Sequence, residues 1–320
     1  MNIIPSIFDE HQIKRTVIGG QQDTSEKKIN LSLILLNSNG SHLNLNIFEN
    51  LVKCKFDSII SIEHDSDNYS LDDITKKFPS VKFIIPLEPT TDGEMINIAM
   101  SEVKTEYVLV IRDTLHIPAS FISQNLVDKL LVEKKYCIVP WLMDKTYQGL
   151  PVHYIPGAEK SHFVIESSVK ILDGIKTVYP FDYIAFYNKN KFIQLGGFDY
   201  TIRSPYWQNL DLALRSWLWG EETKITTLLQ LSYKDEVPVE DSTFNQDYLR
   251  YYLKNEVPKF KNEKAYISRR FFNKFRKRSS CGYLEAKKQY KNAKKWVEKN
   301  QYKFKQDLQS FVQNWDLPNE

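Results

Sequence analysis

The chain has 320 residues, of which 42% are hydrophobic and 13% aromatic, enough to bury one large α/β domain with an extension and to exclude disorder of the whole chain. Its three scattered cysteines lack CxxC spacing, so the sequence indicates neither a disulfide framework nor a zinc site and favours a reducing compartment. No stretch of 18 uninterrupted apolar residues is present, which predicts a cytoplasmic protein that contacts a membrane at most at its surface.

The net charge of +3 conceals an uneven distribution. Residues 259–299 contain 15 Lys or Arg and 3 Asp or Glu, a net charge of +12, so the rest of the chain carries −9. Such asymmetry indicates an anionic partner for the basic segment.

The first regular pattern begins near residue 30. Residues 1–29 are polar and mixed, and predict only a lead-in segment. The apolar run LSLILLNS at 31–38 is typical of a strand buried on both faces of a parallel sheet. Apolar residues at helical spacing follow over 43–52, with Ser41 as the predicted N-cap.

This alternation repeats along the chain. Further strands are predicted at 56–63, 81–86 and 105–113, with helices at 71–78 and 93–103 between them. Such βαβ units imply a parallel sheet with right-handed crossovers. Ligands bind at the carboxyl ends of strands in these sheets, and the predicted ends are 37–40, 63–67, 86–92 and 112–116.

The second half is less regular. Strands are predicted at 137–141 and 177–187, and a helix with one dry face follows Trp207. Beyond residue 246 the pattern is helical and basic. We therefore predict a lead-in at 1–29, an α/β domain at 30–245 and a basic helical tail at 246–320.

Three stretches carry a more specific signal. In order of decreasing specificity, they are FIQLGGFDYTIRSPYWQNLDLALRSWLWG (192–220), GEMINIAMSEVKTEYVLVIRDTLHIP (93–118) and SIISIEHDSDN (58–68). Together they resemble the family 2-like glycosyltransferases with a GT-A fold, common in bacterial surface-polysaccharide synthesis, over about residues 30–235. The resemblance implies a Rossmann-like mixed, mainly parallel sheet flanked by helices. GxGxxG, GxxxxGK[ST] and GxSxG are all missing, so dinucleotide, P-loop and hydrolase alternatives lack their motifs.

The resemblance implies a nucleotide-sugar site. Glu63 stands where the family has an acid that binds the nucleotide base, and Asp67 lies in the same loop. Asp113 matches the last acid of the family's DxD motif, which binds Mn²⁺ or Mg²⁺ against the diphosphate, although Ile111 replaces the first acid. The other residues assigned to this site are Asn97 and Arg203 for the nucleotide sugar, and Asp235 as a second metal ligand.

The same resemblance implies an acceptor site. The residues that match it are Gly196, Gly197, Phe198, Asp199 and Trp207. In inverting members a Glu-Asp pair next to the tryptophan removes a proton from the acceptor hydroxyl, but here the pair reads Gln208 and Asn209. Asp211 is the nearest carboxylate, and two roles stay open for it: a catalytic base, or a structural partner of Arg215 at i, i+4.

The basic tail has three interpretations. Its aromatic and cationic residues suit an anionic membrane surface, or a helical bundle whose aromatic face packs on the α/β domain. Nucleic acid is the least favoured partner because no recognisable motif for it is present.

Two functional hypotheses follow. The first is an enzyme that transfers a sugar from a nucleoside-diphosphate sugar to a hydroxyl of a glycan, a lipid-linked glycan or a protein. The second is a catalytically degenerate GT-A module that binds a sugar nucleotide or glycan as a partner subunit. The replacements at Ile111, Gln208 and Asn209 favour the second, because they fall on the chemistry and spare the fold.

Overall fold

The computed structural model describes residues 11–21, 28–37, 45–63, 71–119, 121–159, 162–279 and 281–315. Within these residues the centre of the molecule is a nine-stranded mixed sheet. Its strands in chain order are β1 (Arg15–Gly19), β2 (Ser32–Leu36), β3 (Ile59–Ile62), β4 (Val81–Pro86), β5 (Tyr107–Arg112), β6 (Leu115–His116), β7 (Cys137–Met143), β10 (Ala185–Asn188) and β11 (Thr223–Tyr233). Two hairpins lie outside this sheet, formed by β8 (His153–Glu159) with β9 (His162–Ser168) and by β12 (Lys259–Lys261) with β13 (Lys264–Tyr266).

The strand order in the sheet is β1-β4-β3-β2-β5-β10-β7-β11-β6. The four strands from β4 to β5 run parallel, as do β7 and β11, whereas β10 is antiparallel to both of its neighbours. All five residues of β2 and all four of β3 are buried, because helices cover both faces of the sheet. The predicted mixed, mainly parallel α/β sheet is confirmed.

The helices in chain order are α1 (Leu45–Lys53), α2 (Leu71–Lys77), α3 (Asp92–Glu102), α4 (Gln124–Leu130), α5 (Lys189–Leu195), α6 (Pro205–Leu218), α7 (Gln246–Asn255), α8 (Phe271–Arg278), α9 (Tyr283–Asn300) and α10 (Leu308–Gln313). Helix α3 begins in a capping box: Thr91 Oγ1 accepts from the Glu94 amide, and the Glu94 carboxylate accepts from the Thr91 amide. Because α3 follows β4 directly, this cap fixes its N-terminus at the carboxyl edge of the sheet.

Four features differ from the sequence-based expectation. Strand β1, which lies in the predicted lead-in, pairs with β4 at the edge of the sheet. The segment expected as one strand at 177–187 contains a 3-10 helix at Phe181–Tyr183 before β10, with Asp182 at a φ of 51°. The long strand β11 and the β8–β9 hairpin were not predicted.

The basic tail packs against the α/β domain. Phe275, Tyr290 and Val297 are buried, and the Phe311 ring lies 5.5 Å from the ring of Trp217 on α6. These tail residues therefore belong to the protein core, as the packing interpretation expects, whereas Tyr283 and Tyr302 are exposed. No helix among the described residues is long and apolar enough to span a membrane.

Candidate functional site

Polar residues from several strands meet at the carboxyl edge of the sheet. Glu63, directly after β3, is buried, and its Oε1 accepts from Asn37 Nδ2 at 2.7 Å and from Ser61 Oγ at 2.8 Å. These partners hold the predicted base-binding acid at the end of its strand. Asp67, assigned to the same loop, lies outside the described residues.

The predicted metal ligands, Asp113 and Asp235, lie on opposite sides of one short β-ladder. Leu115 pairs with Tyr233, and the Lys234 amide donates to the carbonyl of Thr114, which brings residues 113 and 235 to the same end. Lys234 Nζ donates to the carbonyl of Asp113 at 2.7 Å. Burial lowers the pKa of Lys234, while both carboxylates oppose that shift.

These residues do not form a metal centre by themselves. Within the described ranges, no group of three or more His, Cys, Asp or Glu side chains could hold a metal ion. Two carboxylates do suit Mg²⁺ or Mn²⁺ that completes its shell with phosphate oxygens and water. The donor set therefore fits a metal shared with a diphosphate and does not fit a site built from protein alone.

Arg112, the last residue of β5, lies between two carboxylates. Its Nη2 is 2.6 Å from Asp92 Oδ2, and its Nε is 2.6 Å from Asp182 Oδ1. Burial would lower the pKa of Arg112, but Asp182 and Asp92 hold it above its ordinary value. Burial raises the pKa of Asp182. Arg112 and the Tyr233 hydroxyl, which donates to Asp182 at 3.1 Å, oppose that shift. This network fixes the 3-10 helix against the end of β5.

Glu240 lies beside this network, in the loop that follows β11. Its Oε2 accepts from the Tyr179 hydroxyl at 2.6 Å and from the Tyr154 hydroxyl at 3.5 Å. The two tyrosine rings stack with centroids 4.1 Å apart. Burial, together with the nearby charge of Asp182, raises the pKa of Glu240 to about 7. The sequence analysis missed Glu240, because the loop VPVEDST that contains it matches no motif.

The GGFD segment, Gly196–Asp199, is predicted to bind the acceptor and packs into the protein interior. Gly196 and Gly197 have positive φ values of 91° and 69°, and the Arg215 guanidinium donates to the Gly197 carbonyl at 3.0 Å. Phe198 is buried, and Asp199 pairs with Lys254. Burial would raise the pKa of Asp199, but the Lys254 ammonium lowers it to about 2. These contacts are structural, and acceptor binding by this segment stays a prediction.

The residues at the start of α6 are bonded internally as well. Trp207, also assigned to the acceptor, is buried, and its Nε1 donates to the Thr243 carbonyl at 2.9 Å. Gln208 Oε1 accepts from the Gly93 amide at 3.1 Å, and its Nε2 donates to Thr91 Oγ1 at 2.9 Å. Asn209 donates to the Pro180 carbonyl at 2.7 Å. The two amides that replace the family's acids therefore join α6 to the start of α3 and to the segment before the 3-10 helix.

Asp211 has no exposed surface. Its Oδ2 pairs with Arg215, and its Oδ1 accepts from Asn255 Nδ2 at 2.7 Å. A carboxylate with both oxygens bonded in the core cannot reach an acceptor hydroxyl in this conformation. The structure therefore supports the structural alternative for Asp211 over the catalytic one.

The two remaining predicted residues differ in exposure. Asn97 is buried, donating to the Phe198 carbonyl and accepting from the Phe198 amide, each at 2.9 Å, so it joins α3 to the GGFD segment. Arg203 is exposed, and its Nη2 donates to the Pro89 carbonyl at 3.2 Å, across the loop that follows β4. Arg203 is thus free to contact a ligand, whereas Asn97 is occupied.

No protein-family model matches the sequence, and no curated protein matches it significantly. Among solved structures, the chain is similar to GalNAc-T7 with UDP, GalNAc and Mn²⁺, with a TM-score of 0.59 and 12% identity. That alignment covers 92% of this chain and 60% of the other, so the chain spans less than two thirds of that structure.

Two further structures are similar at lower TM-scores. Staphylococcus aureus TarS has a TM-score of 0.49 and 11% identity, covering 70% of this chain and 38% of its own. The mannosyltransferase PcManGT from Pyrobaculum calidifontis, in complex with GDP-Man and Mn²⁺, has a TM-score of 0.45 and 11% identity. That alignment covers 85% of this chain and 70% of the mannosyltransferase chain. The similarity to GalNAc-T7 shows that this chain has a GT-A fold.

Proposed function

We propose that this chain is a glycosyltransferase that takes its sugar from a nucleoside-diphosphate donor. The observation that carries the proposal is the set of carboxylates and cations collected at the carboxyl edge of a GT-A sheet, where ligands of such sheets bind. Glu63, Asp113 and Lys234 come from three separate strand ends and meet along this edge. GalNAc-T7, of the same fold, was crystallised with UDP and Mn²⁺.

In this proposal the nucleoside lies over Glu63 and the loop containing Asp67, and the diphosphate lies near Asp113. Lys234 and Arg203 supply positive charge for its phosphate oxygens. Mg²⁺ or Mn²⁺ would be held by Asp113 and Asp235 together with the diphosphate, and when bound it would neutralise charge on the leaving group.

The acceptor is proposed to be a hydroxyl of a glycan, a lipid-linked glycan or a protein, and inversion at the anomeric carbon is the family expectation. A role in bacterial surface-polysaccharide or glycoconjugate synthesis rests on the family 2 resemblance. The exposed lysines of α9, including Lys287, Lys291 and Lys295, support a cytoplasmic protein peripheral to an anionic membrane.

A panel of UDP-sugars and GDP-mannose, measured by thermal shift with and without Mn²⁺ and then by donor hydrolysis, tests this function. We expect stabilisation by at least one donor and release of its nucleoside diphosphate. Binding without hydrolysis under any metal condition would favour the degenerate binding module. Absence of binding to every donor would contradict both functions.

A further inference from the structure

The family's usual catalytic acids have no counterpart at their own positions in this chain. Gln208 and Asn209 cannot accept a proton at neutral pH, and both amides are engaged in the hydrogen bonds described above. Asp211 is sealed between Arg215 and Asn255. If the chain transfers sugar with inversion, the base that deprotonates the acceptor has to be a different residue.

Most carboxylates at this edge are committed to other partners. Asp92 and Asp182 pair with Arg112, and Asp182 also accepts from Tyr233. Asp113 and Asp235 flank the ammonium of Lys234 and are the proposed metal ligands. Glu240 is the remaining acid beside the Arg112 network, and it pairs with no cation among the described residues.

The surroundings of Glu240 suit a base. Only its Oε2 accepts hydrogen bonds from the described residues, which leaves Oε1 available to a ligand, and the side chain is partly exposed. Tyr154 and Tyr179 hold Oε2 from one side, and Tyr206 packs on Tyr179 with ring centroids 6.0 Å apart. Tyr154 and Tyr179 are themselves buried, with 7% and 1% of their surface exposed, so their rings exclude water from the Oε2 side of the carboxylate.

Resting on the proposed function, we infer that Glu240 is the general base of the transfer reaction, in place of the family's Glu-Asp pair. Its Oε1 takes the proton of the acceptor hydroxyl while that oxygen forms a bond to the anomeric carbon of the donor sugar. The bond from that carbon to the phosphate oxygen breaks, and the nucleoside diphosphate leaves with the electron pair. The same step with water as acceptor is donor hydrolysis.

The titration of Glu240 sets the expected pH dependence. The groups that face it are Asp182 and the tyrosines at positions 154, 179, 183 and 206. Burial raises the pKa of Glu240 to about 7, and the hydrogen bond from Tyr179 opposes the shift. A base must be deprotonated to act, so the rate should fall as the pH drops below about 7.

Donor hydrolysis over a range of pH tests this role, with UDP-sugars and GDP-mannose as donors, Mn²⁺ present and water as acceptor. Glu240→Gln keeps an oxygen for the Tyr179 hydroxyl but cannot accept a proton. We expect kcat to fall about 100-fold or more, the donor dissociation constant to stay within about 2-fold, and the acidic limb near neutral pH to disappear. Tyr179→Phe should move that limb to higher pH, because it removes the bond that lowers the pKa of Glu240.

Glu256→Gln is the matched control. Burial also raises the pKa of Glu256 to about 7, but this residue lies among α7, α8 and the β8–β9 hairpin, so its replacement should leave hydrolysis unchanged. Hydrolysis by Glu240→Gln within a few-fold of wild type would overturn the proposal, as would a loss of donor binding or stability that accounts for its lower rate. Wild-type protein that binds a donor and never hydrolyses it overturns the role of Glu240, whereas failure to bind any donor overturns the proposed function itself.

Discussion

The GGFD segment with the start of α6 and the loop after β11 differ in what their polar groups do. In the first region, the side chains of Asp199, Gln208 and Asp211 all find partners inside the protein. In the second, Lys234 and Glu240 lie at the open edge of the sheet and keep part of their surface exposed. The stretch with the most recognisable sequence therefore maintains the fold, while the chemistry that we propose lies in a loop without a motif.

The largest effect that would test this contrast concerns Asp211. Removing one partner of a buried ion pair leaves an uncompensated charge, so Asp211→Ala should lower the free energy of unfolding by about 3 to 5 kcal/mol. Urea denaturation measures this change. Asp73→Ala, on the exposed face of α2, should change it by less than about 0.5 kcal/mol. A normally stable Asp211→Ala protein that has lost turnover would instead restore Asp211 as the base.

Restoring the family's acid should not restore family chemistry. In Gln208→Glu the new carboxylate cannot donate to Thr91 Oγ1 or to the Asp199 carbonyl, both of which now accept from Nε2. We expect a loss of about 3 kcal/mol in stability, because a buried charge would face acceptors, and no increase in donor hydrolysis. Thermal denaturation and the hydrolysis assay report the two quantities. A gain in hydrolysis would show that position 208 reaches the reacting sugar.

Glu256 provides a smaller effect that depends on pH. Its pKa in the folded protein, about 7, lies above the ordinary value of 4.5, so the folded state holds this proton more tightly than the unfolded state. The resulting stability is present at low pH and is lost as the pH rises through about 7. The free energy of unfolding of Glu256→Gln, taken relative to that of wild type, should therefore increase by about 2 kcal/mol as the pH rises from about 5 to about 8. Urea denaturation of both proteins at the two pH values measures this change. The same stability difference between variant and wild type at both pH values would contradict a raised pKa for Glu256.

The parts of the fold that could be predicted from sequence are those with local patterns. Strand β2 follows from an apolar run, because burial on both faces of a sheet demands such residues. Helix α1 follows from apolar residues at helical spacing, which place Ile47, Phe48 and Leu51 on its buried face. Strand β11 was missed because polar residues such as Lys224 and Gln230 interrupt it, and its register with β7 shifts between Thr226 and Gln230.

Glu240 could not be predicted for a different reason. Its two tyrosine partners are 86 and 61 residues away along the chain, so its desolvation exists only after the hairpin and the 3-10 helix have packed. The surroundings of Asp211 could be predicted in part. Arg215 at i, i+4 was visible in the sequence, but burial of the pair and the third partner, Asn255 on α7, depend on the tertiary fold.

Amide hydrogen exchange with and without saturating UDP or GDP, in the presence of Mn²⁺, tests directly whether the carboxyl edge binds a nucleotide. Slower exchange is expected in residues 107–116, which span β5 and β6, and in residues 230–245, which span the end of β11 and the loop that follows it. Residues 196–204, which begin with the GGFD segment, should be unchanged. Slower exchange confined to the GGFD segment, or to the tail helices, would contradict a nucleotide site at this edge.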